Sequence, residues 1–148
     1  MAMSFQSFVD IPHRFFLYMG WAEEFRKGYE DQLRRVFILP KTWSGKKIKT
    51  TVHFNGDTDG TNKIYFKASI GCGGVGEYWD KHTDDSGNKL IVSAPASAWI
   101  TGSFTYIFDK YTINEKDQIC LDIKRLGNDS SDTYTGSAYI MAIIIEDV

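Results

Sequence analysis

The feature of this sequence that most constrains its fold is the stretch from Ile119 to Glu146. Apolar and polar residues alternate from Ile119 to Ile123, and a period of two is typical of a β-strand with one buried face. From Ala138 to Ile145 the residues are apolar at both parities. We expect a strand of that kind to be covered on both faces, by the domain core on one side and by more of the domain or another subunit on the other.

An arginine continues the apolar parity of the first of these strands. Arg125 is therefore predicted to point inward at the strand end, where a buried guanidinium needs acceptors. Asp129 and Asp132 follow in the loop, and a bidentate pair of Arg125 with Asp132, or failing that with Asp129, is predicted to hold this loop. The alternative is a solvated arginine, for which a surface ion pair contributes only ~0–1 kcal/mol.

Similar alternating segments, separated by turn residues, recur along the rest of the chain. The turn residues from Asn55 to Gly60 predict that the strands on either side form a hairpin. In total, about eight strands predict an all-β fold, an antiparallel β-sandwich that is jelly-roll-like. Seven of these strands have predicted bounds, which are Val36–Leu39, Lys47–Asn55, Lys63–Ile70, Lys89–Ala94, Trp99–Phe108, Gln118–Arg125 and Ser137–Glu146.

The start of the chain has a different pattern. Residues 1–33 are predicted to be an extended N-terminal arm, and residues 34–148 the sandwich domain. The arm carries many aromatic side chains, which would be costly to leave in water at roughly 25 cal/mol per Å². We therefore expect it to pack on the domain or on a neighbour. Phe25, Tyr29 and Val36 have helical spacing, but Gly28 between them disfavours a helix.

Composition and charge narrow the classes of function. The chain is 43% hydrophobic with a net charge of -2, which favours a folded domain and gives no support to a nucleic-acid or membrane-surface partner. No segment approaches the ~20 apolar residues of a membrane span, and we expect no ordinary secretion signal. Cys72 and Cys120 are expected to be reduced, small apolar residues.

No group of residues marks an active site, so we expect neither an enzyme nor a cofactor or metal. His13, His53 and His82 share no metal-ligand spacing. The segment Gly71–Gly76 lacks the ending of a phosphate-binding loop. Acidic loops leave calcium open as an alternative, although none of them matches an EF-hand.

Aromatic residues support one binding function. Tyr78, Trp79 and Trp99 could form a sugar-stacking surface on the sandwich, although packing in the core or at an interface competes with this interpretation. The location of the tryptophans distinguishes the two: exposed rings favour glycan binding, and rings buried at contacts favour assembly.

The end of the chain resembles a group of bacteriophage virion structural proteins of the tail-fibre and head-decoration type, which contain a β-sandwich domain. The resemblance covers about residues 34–148. Its motifs are Arg125 followed by Asp132-Thr133-Tyr134, then Gly136-Ser137-Ala138 and an apolar last strand, with Asp117 ahead of the arginine strand, and Pro40, Trp43 and Gly45 ahead of the strand Lys47–Phe54.

This resemblance implies a structural component of a phage particle, such as a capsid decoration, head-fibre or tail-fibre protein. It places the protein in the virion, assembled in the host cytoplasm, with itself (as a homo-oligomer, trimer favoured) and other virion proteins as partners, and no catalytic residues. The alternative is a carbohydrate-binding module, or a receptor-binding tip that recognises a cell-surface glycan. The candidate interface residues are Tyr139, Met141, Ile143, Ile145, Phe15, Phe16 and Trp21.

Overall fold

The structure is a computed structural model that describes residues 6–11, 14–39, 47–78, 81–84, 89–108 and 118–147. These ranges contain ten β-strands, and they hold no helix long and apolar enough to cross a membrane. The strands are β1 (Gln6–Ile11), β2 (Arg14–Phe25), β3 (Gln32–Ile38), β4 (Ile48–Gly56), β5 (Lys63–Gly73), β6 (His82–Asp84), β7 (Lys89–Ser93), β8 (Thr101–Phe108), β9 (Gln118–Arg125) and β10 (Ala138–Asp147).

The described strands form two antiparallel sheets that pack face to face. The first has the order β1-β2-β10-β4-β8, and the second has the order β3-β9-β5, with β7 and β6 both paired to the far edge of β5. The chain changes sheet at every connection from β2 onward except around β6, which is the order of a jelly roll with β1 and β6 added. The predicted antiparallel β-sandwich is therefore confirmed.

The core lies between the two inner faces, where aromatic rings meet across the sandwich. Phe54 of β4 lies 5.5 Å from Phe66 of β5 between ring centroids, and Phe66 stacks on Phe104 of β8 at 4.3 Å. All three rings are buried. Contacts of this kind add to the free energy gained from burying the rings, so these residues join the two sheets.

The hairpin predicted between β4 and β5 is wrong. The two strands belong to different sheets, and the turn between them carries the chain over the end of the sandwich. Alternation assigns an inner and an outer face to each strand but does not identify its partner, and both arrangements bury Phe54 and Phe66.

Several strand ends also differ from the prediction. β3 begins at Gln32 rather than Val36, and β5 ends at Gly73 rather than Ile70, so it includes the first residues of the segment Gly71–Gly76. β8 begins at Thr101 rather than Trp99, because Trp99 has a φ of 65, outside the extended region.

The segment predicted as an N-terminal arm contributes two strands to the first sheet. β2 pairs along β10 and β1 pairs with β2, so the described part of this segment belongs to the sandwich. The helix considered for residues 23–36 is absent there. β2 ends at Phe25, and a turn in which Gly28 has a φ of 83 leads into β3.

A β-bulge explains why β10 is apolar at both parities. Ile140 pairs with Phe54 and Ala142 pairs with His53 on β4, so relative to β4 Met141 is an extra residue, and the inward parity changes there. Ile143 and Ile145 consequently point into the core of their own chain and are fully buried, which corrects their proposed place in an interface. Met141 itself is 40% exposed.

Deleting Met141 should leave the core of this sheet intact. The shortened strand would alternate regularly and keep Ile140, Ile143 and Ile145 inward, so we expect a loss of less than ~1.5 kcal/mol in the free energy of unfolding. Deleting Ile144 instead would turn Ile145 outward and Glu146 inward, at a cost of about 2–5 kcal/mol. Chemical denaturation of both variants tests this, and equal losses would show that the bulge is not a dispensable insertion.

Candidate functional site

A buried arginine organises the end of the sandwich at which β2 and β9 finish and β10 begins. Arg125 is 0% exposed, and its Nε and Nη2 donate to the two carboxylate oxygens of Asp132, both at 2.8 Å. Nη1 donates to the carbonyls of Phe25 (2.9 Å) and Gly136 (2.7 Å), and Nη2 also donates to that of Tyr134 (2.8 Å). All five N–H donors of the guanidinium therefore have acceptors.

The two aspartates considered as partners for Arg125 have different roles. Asp132 is buried against the arginine and also accepts hydrogen bonds from the backbone N–H of Tyr65 and from Lys27 Nζ. Asp129 instead accepts the backbone N–H of Ser131 at 2.8 Å, a contact typical of an aspartate within a turn. The structure therefore brings together Arg125 and Asp132, and leaves Asp129 to shape the turn.

Tyr134 connects the network around Arg125 to the loop that follows β4. The ring is buried, and its hydroxyl donates to the carbonyl of Thr58 at 2.7 Å and accepts from the N–H of Thr58 at 2.9 Å. A Cβ on Gly56 would lie 2.2 Å from the same hydroxyl, so this close approach requires glycine. The hydrogen bonds to Thr58 and the close approach to Gly56 therefore hold the start of this loop in place.

Trp99, in the segment between β7 and β8, is hydrogen-bonded to the end of β4 in an unusual backbone conformation. Among the described residues it is the one non-glycine residue with a positive φ, at 65. Its N–H donates to the carbonyl of Gly56 and its carbonyl accepts from Asn55 Nδ2, both at 2.7 Å, while Asp59 accepts the N–H of Ala98 at 2.8 Å. The left-handed region costs a side-chain-bearing residue roughly 1–2 kcal/mol, so these contacts hold Trp99 against a local preference.

The Trp99 side chain forms an exposed aromatic pair with Tyr139 of β10. Their ring centroids lie 5.2 Å apart, and Trp99 is 58% exposed. Such a large exposed apolar group at a rigid position contributes little to the core. We call Trp99 and Tyr139 the aromatic platform.

Acidic groups border the aromatic platform. In the sheet, Tyr139 pairs with Glu24 of β2 on one side and with Asn55 of β4 on the other. Burial raises the pKa of the Tyr139 phenol, and the nearby negative charges of Glu24 and Asp57 raise it further. Ser137 connects the two carboxylates, since its Oγ donates to Glu24 Oε1 at 3.1 Å and its N–H donates to Asp57 Oδ1 at 2.8 Å. We call Glu24 and Asp57 the acidic rim.

The structure separates the residues predicted to stack on a sugar. Trp99 lies near the start of β5, whereas Tyr78 follows the end of that strand, about 30 Å away at ~3.3 Å per residue. Tyr78 is 82% exposed and lines an open depression of ≈ 480 Å³ with Gly76, Glu77 and Lys81. Trp79 lies outside the described residues.

The remaining predicted site residues have varied positions. Tyr139, predicted at an interface, forms part of the aromatic platform, and Phe15, Phe16 and Trp21 lie in β2, where their backbone but not their side chains is described. Sequence reasoning missed Glu24 and considered the acidic loop of Asp57 only for calcium, although the parity of β2 could have placed Glu24 on the outer face. Within the described ranges no group of three acidic, histidine or cysteine residues could hold a metal ion.

Comparison with known proteins supports the fold. No family model and no curated protein matches this chain. A solved structure of a family GH115 4-O-methyl-α-glucuronidase with specificity for decorated arabinogalactans is similar, with a TM-score of 0.50, 12% identity, and coverage of 86% of this chain and 14% of that chain. Isomalto-dextranase from Arthrobacter globiformis T6, complexed with panose, has a TM-score of 0.53 and 10% identity, with coverage of 96% and 22%.

A third solved structure, TmCBM61 in complex with β-1,4-galactotriose, has a TM-score of 0.41 and 7% identity, with coverage of 90% of this chain and 71% of that chain. The chain spans less than a quarter of the first two proteins. At these identities, the first two similarities show that the same sandwich occurs as a part of larger proteins.

Removing either partner of the buried ion pair should be strongly destabilising. Arg125→Ala leaves the Asp132 carboxylate buried without its main partner, and we expect a loss of about 3–5 kcal/mol in the free energy of unfolding. Asp132→Asn should cost somewhat less, because an amide still accepts one hydrogen bond. A double-mutant cycle by denaturant unfolding measures the coupling, and additive losses below ~1 kcal/mol would mean that other contacts hold the loop.

Replacing Trp99 should reveal the backbone cost of its conformation. Because glycine populates positive φ readily, Trp99→Gly should be more stable than Trp99→Ala by roughly 1 kcal/mol. Thermal unfolding of the two variants tests this. The opposite order would show that the backbone at this position is not strained.

Proposed function

We propose that this protein is a non-catalytic carbohydrate-binding domain that recognises a glycan through the aromatic platform. The observation that carries the proposal is Trp99: a large aromatic residue is kept at a backbone position that favours glycine, with more than half of its surface in water. Core packing does not account for that choice. An exposed aromatic group at a strained position is typical of a binding site.

The chemistry of the platform suits a sugar. The faces of the Trp99 and Tyr139 rings carry partial negative charge, which attracts the C–H groups on the flat side of a pyranose. The carboxylates of Glu24 and Asp57 accept hydrogen bonds, and sugar hydroxyls are donors. An apolar surface with a small number of placed polar groups is the usual composition of a ligand site.

The platform is also rigid before a ligand binds. Asn55 and the carbonyl of Gly56 hold the backbone of Trp99, and Tyr134 holds Thr58 beside Asp57. Ordering a flexible loop on binding costs free energy, so a rigid site retains more of the interaction as affinity. The proposal rests on this geometry, and the similarity to parts of two carbohydrate-active enzymes concerns the fold.

The virion role implied by the resemblance stays a prediction, together with the homo-oligomer, the other virion partners and the location in the particle. It is compatible with glycan binding, since a receptor-binding tip would recognise a cell-surface glycan. Mass spectrometry of purified virions, with the protein located by cryo-electron microscopy, distinguishes a particle component from a free binding domain.

Removing the Trp99 side chain should weaken glycan binding without unfolding the protein. On a glycan array, followed by isothermal titration with the best ligand, we expect Trp99→Gly to weaken binding at least tenfold, about 1.4 kcal/mol. Tyr139→Ala should also weaken it, because the tyrosine supports the tryptophan ring.

Tyr78→Ala is the matched control, since it removes an exposed aromatic residue at the opposite end of the sandwich. Its binding should equal that of the wild type. Loss of binding in Tyr78→Ala but not in Trp99→Gly would move the site to the other end, and a protein that binds no glycan on the array would contradict the proposal.

A further inference from the structure

We infer that the aromatic platform selects uncharged sugar residues and rejects uronic acids. This inference rests on the proposed function and concerns the charge of the sugar that occupies the site. It follows from the acidic rim, which supplies two carboxylates beside the platform, and from the pairing of the basic residues that follow Glu24 in the chain with other carboxylates.

The acidic rim has acceptor capacity left for a ligand. Glu24 uses Oε1 for the Ser137 hydroxyl, and Asp57 uses Oδ1 for the N–H of Ser137 and the hydroxyl of Thr58. Within the described part of the chain, Glu24 Oε2 and Asp57 Oδ2 have no partner. A neutral sugar can donate a hydroxyl to each of these oxygens.

The position of the Asp57 carboxylate depends on a glycine beside it, Gly136. A Cβ on Gly136 would lie 2.4 Å from Asp57 Oδ1 and 2.4 Å from Thr58 Oγ1, so the close approach of this carboxylate requires a residue without a side chain. The backbone carbonyl of Gly136 also accepts a hydrogen bond from Arg125 Nη1. Gly136 and the N–H of Ser137 therefore hold the Asp57 carboxylate beside the platform.

The basic residues that follow Glu24 in the chain are engaged by other carboxylates. Arg26 forms a bidentate pair with Asp31, at 2.9 Å for each contact. Lys27 Nζ binds Asp132 at the buried network. Arg35 binds Glu23, the neighbour of Glu24 that has the opposite parity. These cations are thus committed elsewhere.

A uronic acid fits this rim poorly for two reasons. Its carboxylate is an acceptor that cannot donate to Glu24 or Asp57, whereas the hydroxymethyl group of the corresponding neutral sugar can donate. It also places a third negative charge near the carboxylates of Glu24 and Asp57, and like charges in a binding site discriminate strongly against a ligand.

The test compares neutral and uronate-bearing oligosaccharides on an array with the wild-type protein, Trp99→Gly and Glu24→Gln. We expect the ligands whose binding depends on Trp99 to be neutral, with uronate-bearing analogues at least tenfold weaker. Glu24→Gln should reduce the ratio of neutral to uronate affinity by threefold or more, since it removes one negative charge. Added salt should also narrow it, because ions screen repulsion at an exposed site.

Glu77→Gln is the control for charge, because Glu77 lies at the depression beside Tyr78 and its substitution should leave the ratio unchanged. Binding that depends on Trp99 but is equal or stronger for uronates would overturn this inference and leave the proposed function standing. An unchanged ratio in Glu24→Gln would also overturn it. Absence of any binding that depends on Trp99 would overturn both.

Discussion

The arrangement of this site depends on one buried cation. Arg125 lies at the end of β9, and its five donors are divided among the Asp132 carboxylate, two backbone carbonyls of the following loop and the carbonyl of Phe25, which is 100 residues away in the sequence. A charge in such a place is tolerated because every donor has an acceptor, and the loss of one acceptor is expensive for the same reason. The arginine thereby connects the end of β2, the loop before β10 and the second sheet.

The effect of this network reaches the surface through a short series of contacts. The loop that Arg125 holds contains Tyr134, whose hydroxyl binds both backbone groups of Thr58. Thr58 stands next to Asp57, and the same loop follows the strand end that binds Trp99. A hydrogen-bonded interior thus determines where an exposed tryptophan and a carboxylate stand, which is how a scaffold holds surface loops in one arrangement.

Local sequence patterns predict part of this arrangement and fail for identifiable reasons. Parity places Arg125 inward and gives the bounds of β9, because in a regular strand with one buried face the alternation of residues determines which side chains point inward. Parity does not identify the partner of a strand, so the hairpin predicted between β4 and β5 is wrong. It also assumes an unbroken period, which the bulge at Met141 interrupts. The left-handed Trp99 follows from contacts between distant residues and has no local signal, so the pair with Tyr139 was not foreseen.

The place of β10 within the first sheet has a consequence for how the chain folds. This strand, the last one described, lies between β2 and β4, which come much earlier in the sequence. Until β10 arrives, β2 and β4 have edges without a partner at the middle of the sheet, and such edges are prone to pair with other molecules. Contacts between residues so far apart in sequence also make folding slow. Because β10 is synthesised after both strands that it joins, the edges of β2 and β4 lack this partner while the chain is being made, and this is the stage at which a chaperone would protect them.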